Sequence, residues 1–298
     1  MHTTKLRSHW FRRLVATAST LVVVALGGCG GTAPMDEPSR EAESAGGPIV
    51  FGHVHGLGVN PSNDLLYVAS HMGVFKQTED GFERVADRRQ DTMAFTVTGP
   101  DTFLASGHPD LRETEKPPHL GLIESTDAAE NWTALSLEGE ADFHALEPAA
   151  DRLYGYDSAH GVLKVTRDHQ QWRDIARLGV IDLAVEPDHP EALLVTDERA
   201  RLLRLGQGAK LSAVNDAPRL AFIDWPQRGV LVGVAPDGAV YRSGDGGASW
   251  EPVNSVGSPP EALDITPGLW HVATERGLFS SIDDGTTWSP VAGQPGHH

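Results

Sequence analysis

Histidine is the residue type with the clearest chemical potential in this chain. Of the 14 histidines in the 298 residues, seven fall at the ends of apolar segments between positions 53 and 160: His53, His55, His71, His108, His119, His144 and His160. His53 and His55 are separated by one residue, so on a β-strand both side chains would point to the same side. Neutral imidazole is a common metal ligand, and a His-x-His pair on a strand is suited to chelation.

The elements that must position these histidines form a repeat. Residues 243–250 and 281–288 both read S-x-D-x-G-x-[ST]-W, and they start 38 positions apart. Weaker copies start at positions 77, 125 and 166, and the spacing predicts a further worn copy near Leu205. A fixed period of this size is typical of a repeat architecture, and the spacing predicts six units.

The repeated octet has the chemistry of a tight turn between two strands. Ser and Asp side chains accept hydrogen bonds from nearby backbone N–H groups, and Gly supplies a positive φ. A calcium-binding loop would need more oxygen ligands than the octet offers. We therefore assign a structural role to the turn residues of the two clear copies: Ser243, Asp245, Gly247 and Trp250, and Ser281, Asp283, Gly285 and Trp288.

Between residues 48 and 298 the chain consists of short apolar segments separated by turns, without a convincing helical pattern. Each repeat contains four such segments, which predicts an all-β fold, a six-bladed β-propeller of four-stranded antiparallel blades. Two alternatives are a pair of β-sandwiches and a parallel β-helix. The first would not require six matched turns, and the second would have a shorter repeat.

The octets resemble the BNR/Asp-box repeats of bacterial sialidases, other glycosidases and sortilin-type propellers. The resemblance implies that the Asp-box turns lie on the face opposite the active site. The working face would then be built from the loops between second and third strands and from the entries to the first strands. Sialidases carry an Arg-Ile-Pro motif, which this chain lacks, so the resemblance does not imply sialidase activity.

Alignment of the six first strands on a shared apolar residue gives one equivalent position in each repeat. These positions carry His55, Met93, His144, Ile181, Leu220 and Glu261. In a closed propeller the donors of repeats one to three and the glutamate of repeat six would be contiguous around the channel mouth. The pattern predicts a metal site formed by His53, His55, Met93, His108 and His144. A thioether ligand favours copper, whereas imidazole with carboxylate also suits zinc.

Other interpretations of this face remain open. The second repeat has a long connection, residues 106–121, which we interpret as a lid that contributes His108 or His119. Carboxylates on the same face could supply the acid/base pair of a glycoside hydrolase acting on a glycan. A third alternative is a scaffold that binds another protein of the cell envelope. The sequence therefore leaves open whether the protein is an enzyme. The histidines would also be consistent with ordinary polar residues at a solvated channel mouth.

The N-terminus has the pattern of a lipoprotein leader. Residues 1–28 begin with basic residues and continue with an apolar stretch from Leu14 to Leu26, which is typical of a secretory signal peptide. The stretch ends in Leu26-Gly27-Gly28-Cys29, which resembles a bacterial lipobox and implies that Cys29 is lipidated. Residues 29–47 are rich in Gly, Pro, Ala and acidic residues and are predicted to be a flexible tether. We thus expect a lipid-anchored protein of the cell envelope, facing the extracytoplasmic side.

The charge of the chain limits its partners. Asp and Glu number 41 against 24 Lys and Arg, giving a formal net charge of −17. Such a surface disfavours nucleic acid and anionic lipid, so the membrane anchor would depend on the lipid at Cys29. Cys29 is the only cysteine, which excludes an intrachain disulfide. We expect a monomer.

Overall fold

The computed structural model describes residues 50–206 and 210–291. Within these ranges the secondary structure consists of 24 β-strands and one short 3-10 turn at Val85–Asp87. A search of the same ranges finds no helix with the length and apolarity needed to cross a membrane. The predicted leader (1–28), the tether (29–47) with Cys29, and positions 207–209 of the worn fourth turn lie outside the described residues.

The strands form six sheets, each built from four consecutive antiparallel strands. The first blade comprises β1 (Val54–Asn60), β2 (Leu65–Ser70), β3 (Gly73–Thr78) and β4 (Gly81–Arg84). The second comprises β5 (Asp91–Gly99), β6 (Thr102–His108), β7 (Leu122–Ser125) and β8 (Thr133–Ser136). The third comprises β9 (Phe143–Ala149), β10 (Arg152–Asp157), β11 (Val162–Thr166) and β12 (Trp172–Arg177).

The second half of the propeller has the same organisation. The fourth blade comprises β13 (Val180–Glu186), β14 (His189–Asp197), β15 (Leu202–Gly206) and β16 (Lys210–Ala213). The fifth comprises β17 (Phe222–Gln227), β18 (Val230–Val234), β19 (Ala239–Ser243) and β20 (Glu251–Ser255). The sixth comprises β21 (Pro260–Thr266), β22 (Leu269–Thr274), β23 (Gly277–Ser281) and β24 (Ser289–Pro290).

The first strands of successive blades contact one another around a complete circle. β1 contacts β5, and the contacts continue through β9, β13, β17 and β21 back to β1. The first strands therefore surround the central channel, and the predicted six-bladed propeller is confirmed. Within residues 50–206 and 210–291 no blade takes a strand from a neighbour, so the described part of the circle is closed by side-chain contacts between the sixth blade and the first.

The hydrophobic core is divided among the interfaces between blades. At the closing interface, Val68 and Phe75 of the first blade belong to the same buried cluster as Ala273 and Leu278 of the sixth. Five further clusters of the same kind occupy other parts of the propeller. Burial of each blade's apolar face against its neighbours is what stabilises a repeat that has no core of its own.

The turns of the two clear octets connect third and fourth strands and are held by side-chain hydrogen bonds. Ser243 Oγ accepts from Gly247 N at 2.8 Å, and Asp245 Oδ1 accepts from Ser249 N at 2.8 Å. The sixth blade repeats this pattern with Ser281 and Asp283. Trp250 and Trp288, which follow these turns, are half-buried, and each packs against one of the core clusters.

Candidate metal centre at the channel mouth

One end of the central channel is lined by residues at the beginnings of the first strands. The cavity has a volume of about 550 Å³, and His55, His144 and Ile181 are among the residues that line it. These are three of the six equivalent positions predicted from the repeat. The candidate site therefore lies where the first strands enter the propeller.

Five of the six equivalent positions coincide with a β-bulge. In these blades the pairing of first and second strands skips one residue, leaving His55, Met93, His144, Ile181 and Glu261 unpaired. A bulge places an extra residue opposite the partner strand and redirects its side chain. The same irregularity in five blades thus presents one side chain per blade at the channel mouth.

The first group of potential ligands, here called the mouth cluster, consists of His55, His71 and Asp91. His71 Nδ1 is 2.8 Å from Asp91 Oδ1 and 3.4 Å from His55 Nε2. His55 Nε2 is 4.0 Å from the same Asp91 oxygen. The three donor atoms lie within 4.8 Å of one another, and they come from β1, the β2–β3 turn and the start of β5. Two imidazoles and a carboxylate form a ligand set suited to zinc.

The position of His71 depends on the geometry of a tight turn. Ser70 Oγ accepts from Met72 N at 3.1 Å and donates to Gly73 O at 3.2 Å, which closes the turn around His71. Gly73 has φ +112°, and a Cβ at this position would approach Arg88 O to 2.2 Å. Only glycine fits there, so the sequence Ser70-His71-Met72-Gly73 fixes where the imidazole projects.

The environment of His55 keeps its imidazole neutral. Burial, followed by the charges of His53 and His71, lowers the pKa of His55 to about 3. A neutral imidazole can offer an unprotonated ring nitrogen to a metal ion at neutral pH. His55 is therefore better suited to ligation than to binding an anion.

His53 lies beside the mouth cluster and is paired with Glu261 of the sixth blade. Its Nδ1 is 2.8 Å from Glu261 Oε1, and this hydrogen bond raises the pKa of His53 although burial opposes it. Burial alone would raise the pKa of Glu261, but the bonds from His53 and from Val54 N lower it overall. The rings of His53 and His55 are 4.8 Å apart between centroids. His53 thus connects the mouth cluster to the closing interface.

The second group, here called the lid cluster, consists of His108, His119 and Asp142. His108 Nε2 is 4.0 Å from Asp142 Oδ1, and His119 Nδ1 is 4.0 Å from Asp142 Oδ2. His144 Nε2 contacts Asp142 Oδ2 at 3.0 Å. Burial alone would raise the pKa of Asp142, but His144 and Ser158 lower it overall, so the carboxylate is ionised.

The loop that carries His119 is shorter than predicted, and hydrogen bonds anchor it to the propeller. β6 extends to His108, so the loop comprises residues 109–121 rather than 106–121; we call residues 109–121 the lid loop. Asp110 is buried and accepts from Arg89 N at 2.8 Å and from Arg112 N at 2.9 Å. Hydrogen bonding with Arg112 lowers the pKa of Asp110, so this carboxylate holds the loop in its ionised form.

The predicted ligands are thus distributed over two clusters. His55 belongs to the mouth cluster with His53 beside it, and His108 belongs to the lid cluster with His144 beside it. Met93 occupies the bulge of the second blade, and its thioether remains a predicted ligand. His160 pairs with Asp157 at 2.9 Å and belongs to neither cluster.

Sequence reasoning identified the carboxylates only as members of an acidic face and did not assign them as ligands. The position two residues before each of the six equivalent positions carries His53, Asp91 and Asp142 in the first three blades and Gly179, Pro218 and Pro259 in the other three. This regularity was available in the sequence. It indicates that potential metal ligands at this position are confined to the first three blades.

Deeper in the channel, carboxyl groups connect neighbouring blades. Asp182 Oδ2 accepts from Ile223 N at 2.9 Å, and Asp224 Oδ2 accepts from Ile265 N at 2.7 Å. Burial raises the pKa of Asp182 to about 7, and burial with the nearby charge of Asp264 raises that of Asp224 to about 8. Because both side chains also line the channel, solvent there moderates these effects. These groups are structural links that hold a proton more tightly than ordinary carboxyls.

Comparison with known proteins shows a common fold without close relatives. No protein-family model and no curated protein matches the chain. Virginiamycin B lyase from Staphylococcus aureus is 11% identical with a TM-score of 0.54, covering 80% of this chain and 84% of that one. The GH74 xyloglucanase from Xanthomonas campestris is 15% identical with a TM-score of 0.53, covering 80% and 38%.

A third similar structure is the extracellular domain of a hybrid two-component system from B. thetaiotaomicron. It is 10% identical with a TM-score of 0.53, covering 80% of this chain and 33% of that domain. The chain therefore spans about one third of that domain's length. At these identities the similarity establishes a β-propeller, and the function has to be argued from the site.

Proposed function

We propose that this protein is a lipid-anchored, extracytoplasmic β-propeller of the Asp-box type that binds a transition-metal ion, zinc or copper, at its channel mouth. The observation that carries the proposal is the mouth cluster, in which His55, His71 and Asp91 bring their donor atoms within 4.8 Å of one another. Three separate segments supply these donors, so their convergence is a property of the fold. The leader and the resemblance of residues 26–29 to a lipobox support the anchoring.

The ligand set limits the choice of ion. Two imidazoles and one carboxylate suit zinc and leave room for a water or a substrate as fourth ligand. Addition of the Met93 thioether, from the neighbouring bulge, would shift the preference towards copper. The low pKa of His55 supports binding at neutral pH because protons do not compete for its nitrogen.

Glycoside hydrolysis is the alternative suggested by the Asp-box resemblance. The carboxylates at this end of the channel are engaged with histidines: Asp91 with His71, Asp142 with His144, and Glu261 with His53. A glycosidase needs one carboxyl that protonates the glycosidic oxygen and a second that acts as nucleophile or base. Because each of these three carboxylates is paired with an imidazole, the arrangement favours metal binding over the acid/base catalysis of glycoside hydrolysis.

Isothermal titration with zinc and with copper ions tests the proposal, using protein purified without a histidine tag. We expect the double variant His55→Ala/His71→Ala to lose at least tenfold in affinity for the preferred ion. His189→Ala is the matched control, because His189 is exposed at the start of β14 outside both clusters. Equal binding by wild type and the double variant would contradict the proposal. Hydrolysis of a glycoside panel by metal-free protein would support the glycosidase alternative instead.

A further inference from the structure

Two buried polar atoms of the lid cluster have no hydrogen-bond partner among the described residues. Asp142 is 6% exposed, yet its Oδ1 has no hydrogen-bond partner there, and neither has the buried Nδ1 of His119. A buried carboxylate oxygen without a partner costs free energy that is comparable to a lost charged hydrogen bond. Two such atoms at one place indicate a missing ligand, and a cation would satisfy both.

Two of the three side chains, those of His108 and Asp142, are already held as metal ligands usually are. His108 Nδ1 donates to Pro118 O at 2.8 Å, so in the neutral ring Nε2 is the nitrogen that carries the lone pair, and this atom faces Asp142 Oδ1. A hydrogen bond from the second ring nitrogen to a backbone carbonyl is the common outer-shell arrangement of metal-bound histidine. Asp142 is held in turn by Ser158 Oγ at 3.0 Å and by His144.

The separations between donor atoms also fit a metal ion. Two atoms that each lie about 2.0–2.2 Å from a zinc ion are at most about 4.4 Å apart. His108 Nε2 is 4.0 Å from Asp142 Oδ1, and His119 Nδ1 is 4.0 Å from Asp142 Oδ2. The donor atoms of the three residues lie within 4.8 Å of one another, which is slightly more than this limit. The backbone around His119 is anchored on both sides, since Leu120 N donates to Gly107 O and Gly139 N donates to His119 O. Ligation would therefore require only small side-chain movements.

We propose that the lid cluster binds a second transition-metal ion, independently of the mouth cluster, and that this ion fastens the lid loop to the third blade. His108 immediately precedes the lid loop and His119 lies near the C-terminal end of the loop, whereas Asp142 immediately precedes β9 of the third blade. An ion bound by all three joins both ends of the loop to a neighbouring blade. The mouth and lid clusters share no ligand, so each site can be removed separately.

Zinc titration of the full chain, followed by metal analysis after dialysis, tests the second site. Wild type is expected to bind about two zinc ions per chain, and His119→Ala and His71→Ala about one each. His119→Gln is a second variant that keeps polarity and size, and the side chain of His119 is partly exposed (31%), so folding should be retained. Two ions bound by both His119 variants would overturn the second site. Wild type that binds neither zinc nor, in the parallel titration, copper would overturn both sites.

The same experiment separates this inference from the proposed function. One ion in wild type that is lost in His119→Ala but kept in His71→Ala would support the lid site and contradict the mouth site. The opposite pattern would support the mouth site and contradict the lid site.

The fastening role has its own readout, which is trypsin cleavage after Arg112 in the lid loop. Arg112 is 62% exposed, but cleavage requires local opening of the loop. If opening breaks the site, zinc at about 100 times Kd suppresses it about 100-fold. We expect this protection in wild type and in His71→Ala, and its loss in His119→Ala. Equal cleavage rates with and without zinc in wild type that binds two ions would contradict the fastening role.

Discussion

His53 of the first blade and Glu261 of the last blade are joined by a 2.8 Å contact between Nδ1 and Oε1, and the second oxygen of Glu261 accepts from Val54 N at 3.0 Å. Because no strand is exchanged between blades, this side chain is a polar link across the closing interface of the propeller. It also borders the mouth cluster. Closure of the fold and construction of the candidate site therefore depend on the same pair of residues.

Glu261→Gln should reduce stability most at mildly acidic pH. The raised pKa of His53 contributes stability that is present below its ordinary value of 6.5 and is lost as pH rises through the raised value. The lowered pKa of Glu261 contributes stability that is present above 4.5 and is lost as pH falls through the lowered value. The pair is thus most effective between these limits. Urea unfolding should show a larger difference from wild type at about pH 5.5 than at about pH 8.5, and a pH-independent difference would contradict this assignment.

The two tryptophans of the last blade should differ in their contribution to stability. Trp270 is 1% exposed and packs against Gly285 of the Asp-box turn, whereas Trp288 is half-buried. We expect Trp270→Ala to lower the free energy of unfolding by about 3–5 kcal/mol and Trp288→Ala by roughly half as much. Denaturant unfolding of both variants measures this. An equal loss of unfolding free energy in the two variants would contradict the larger contribution expected of Trp270.

The channel carboxyl Asp224 should make the protein less stable as pH rises. Its folded-state pKa of about 8 lies above the ordinary 3.8, so the unfolded chain releases the proton first. Stability is then lost progressively between these two values and levels off above the higher one. Asp224→Asn keeps an acceptor for Ile265 N, and it should reduce the slope of stability against pH by at most about 1.4 kcal/mol per pH unit. Unfolding curves at several pH values test this, and an unchanged slope would contradict it.

Gly73→Ala should weaken metal binding at the mouth cluster without touching a ligand. The added Cβ would collide with Arg88 O and displace the turn that holds His71. We expect at least a tenfold loss in zinc affinity at this site, measured by titration. Gly268→Ala is the matched control, since Gly268 also has a positive φ (+81°) but open space around its Cβ position. Equal losses in the two variants would assign the effect to backbone strain in general.

Cys29→Ala should release the protein from the membrane fraction while its propeller stays folded. The expectation rests on the lipobox-like residues 26–29 and on the absence of any other cysteine from the sequence. Membrane fractionation together with the circular dichroism of the purified variant tests it. Retention in the membrane fraction after cleavage of the leader would contradict lipid anchoring at Cys29.

The sequence predicted the strands better than the site, for a physical reason. Apolar segments with turn residues between them define strands locally, and the second strands at 65–70, 152–157 and 269–274 coincide with the segments LLYVAS, RLYGYD and LWHVAT. The ligand groups depend on side-chain directions at bulges, where the alternation of a regular strand fails. For this reason His55 and His144 could be aligned from the repeat, whereas their separate partners, Asp91 and Asp142, could not be assigned.

The repeated bulge has a consequence for how this scaffold could acquire new chemistry. A residue that is left out of the strand pairing can be exchanged without disturbing the ladder on either side of it. The fourth blade already presents Ile181 at the position that holds His55 in the first. The architecture thus places a set of exchangeable positions around one opening, which carry donors in blades one, two, three and six and apolar residues in blades four and five. Substitutions confined to these positions could change the binding specificity of the channel mouth without changing the residues that determine the fold of the blades.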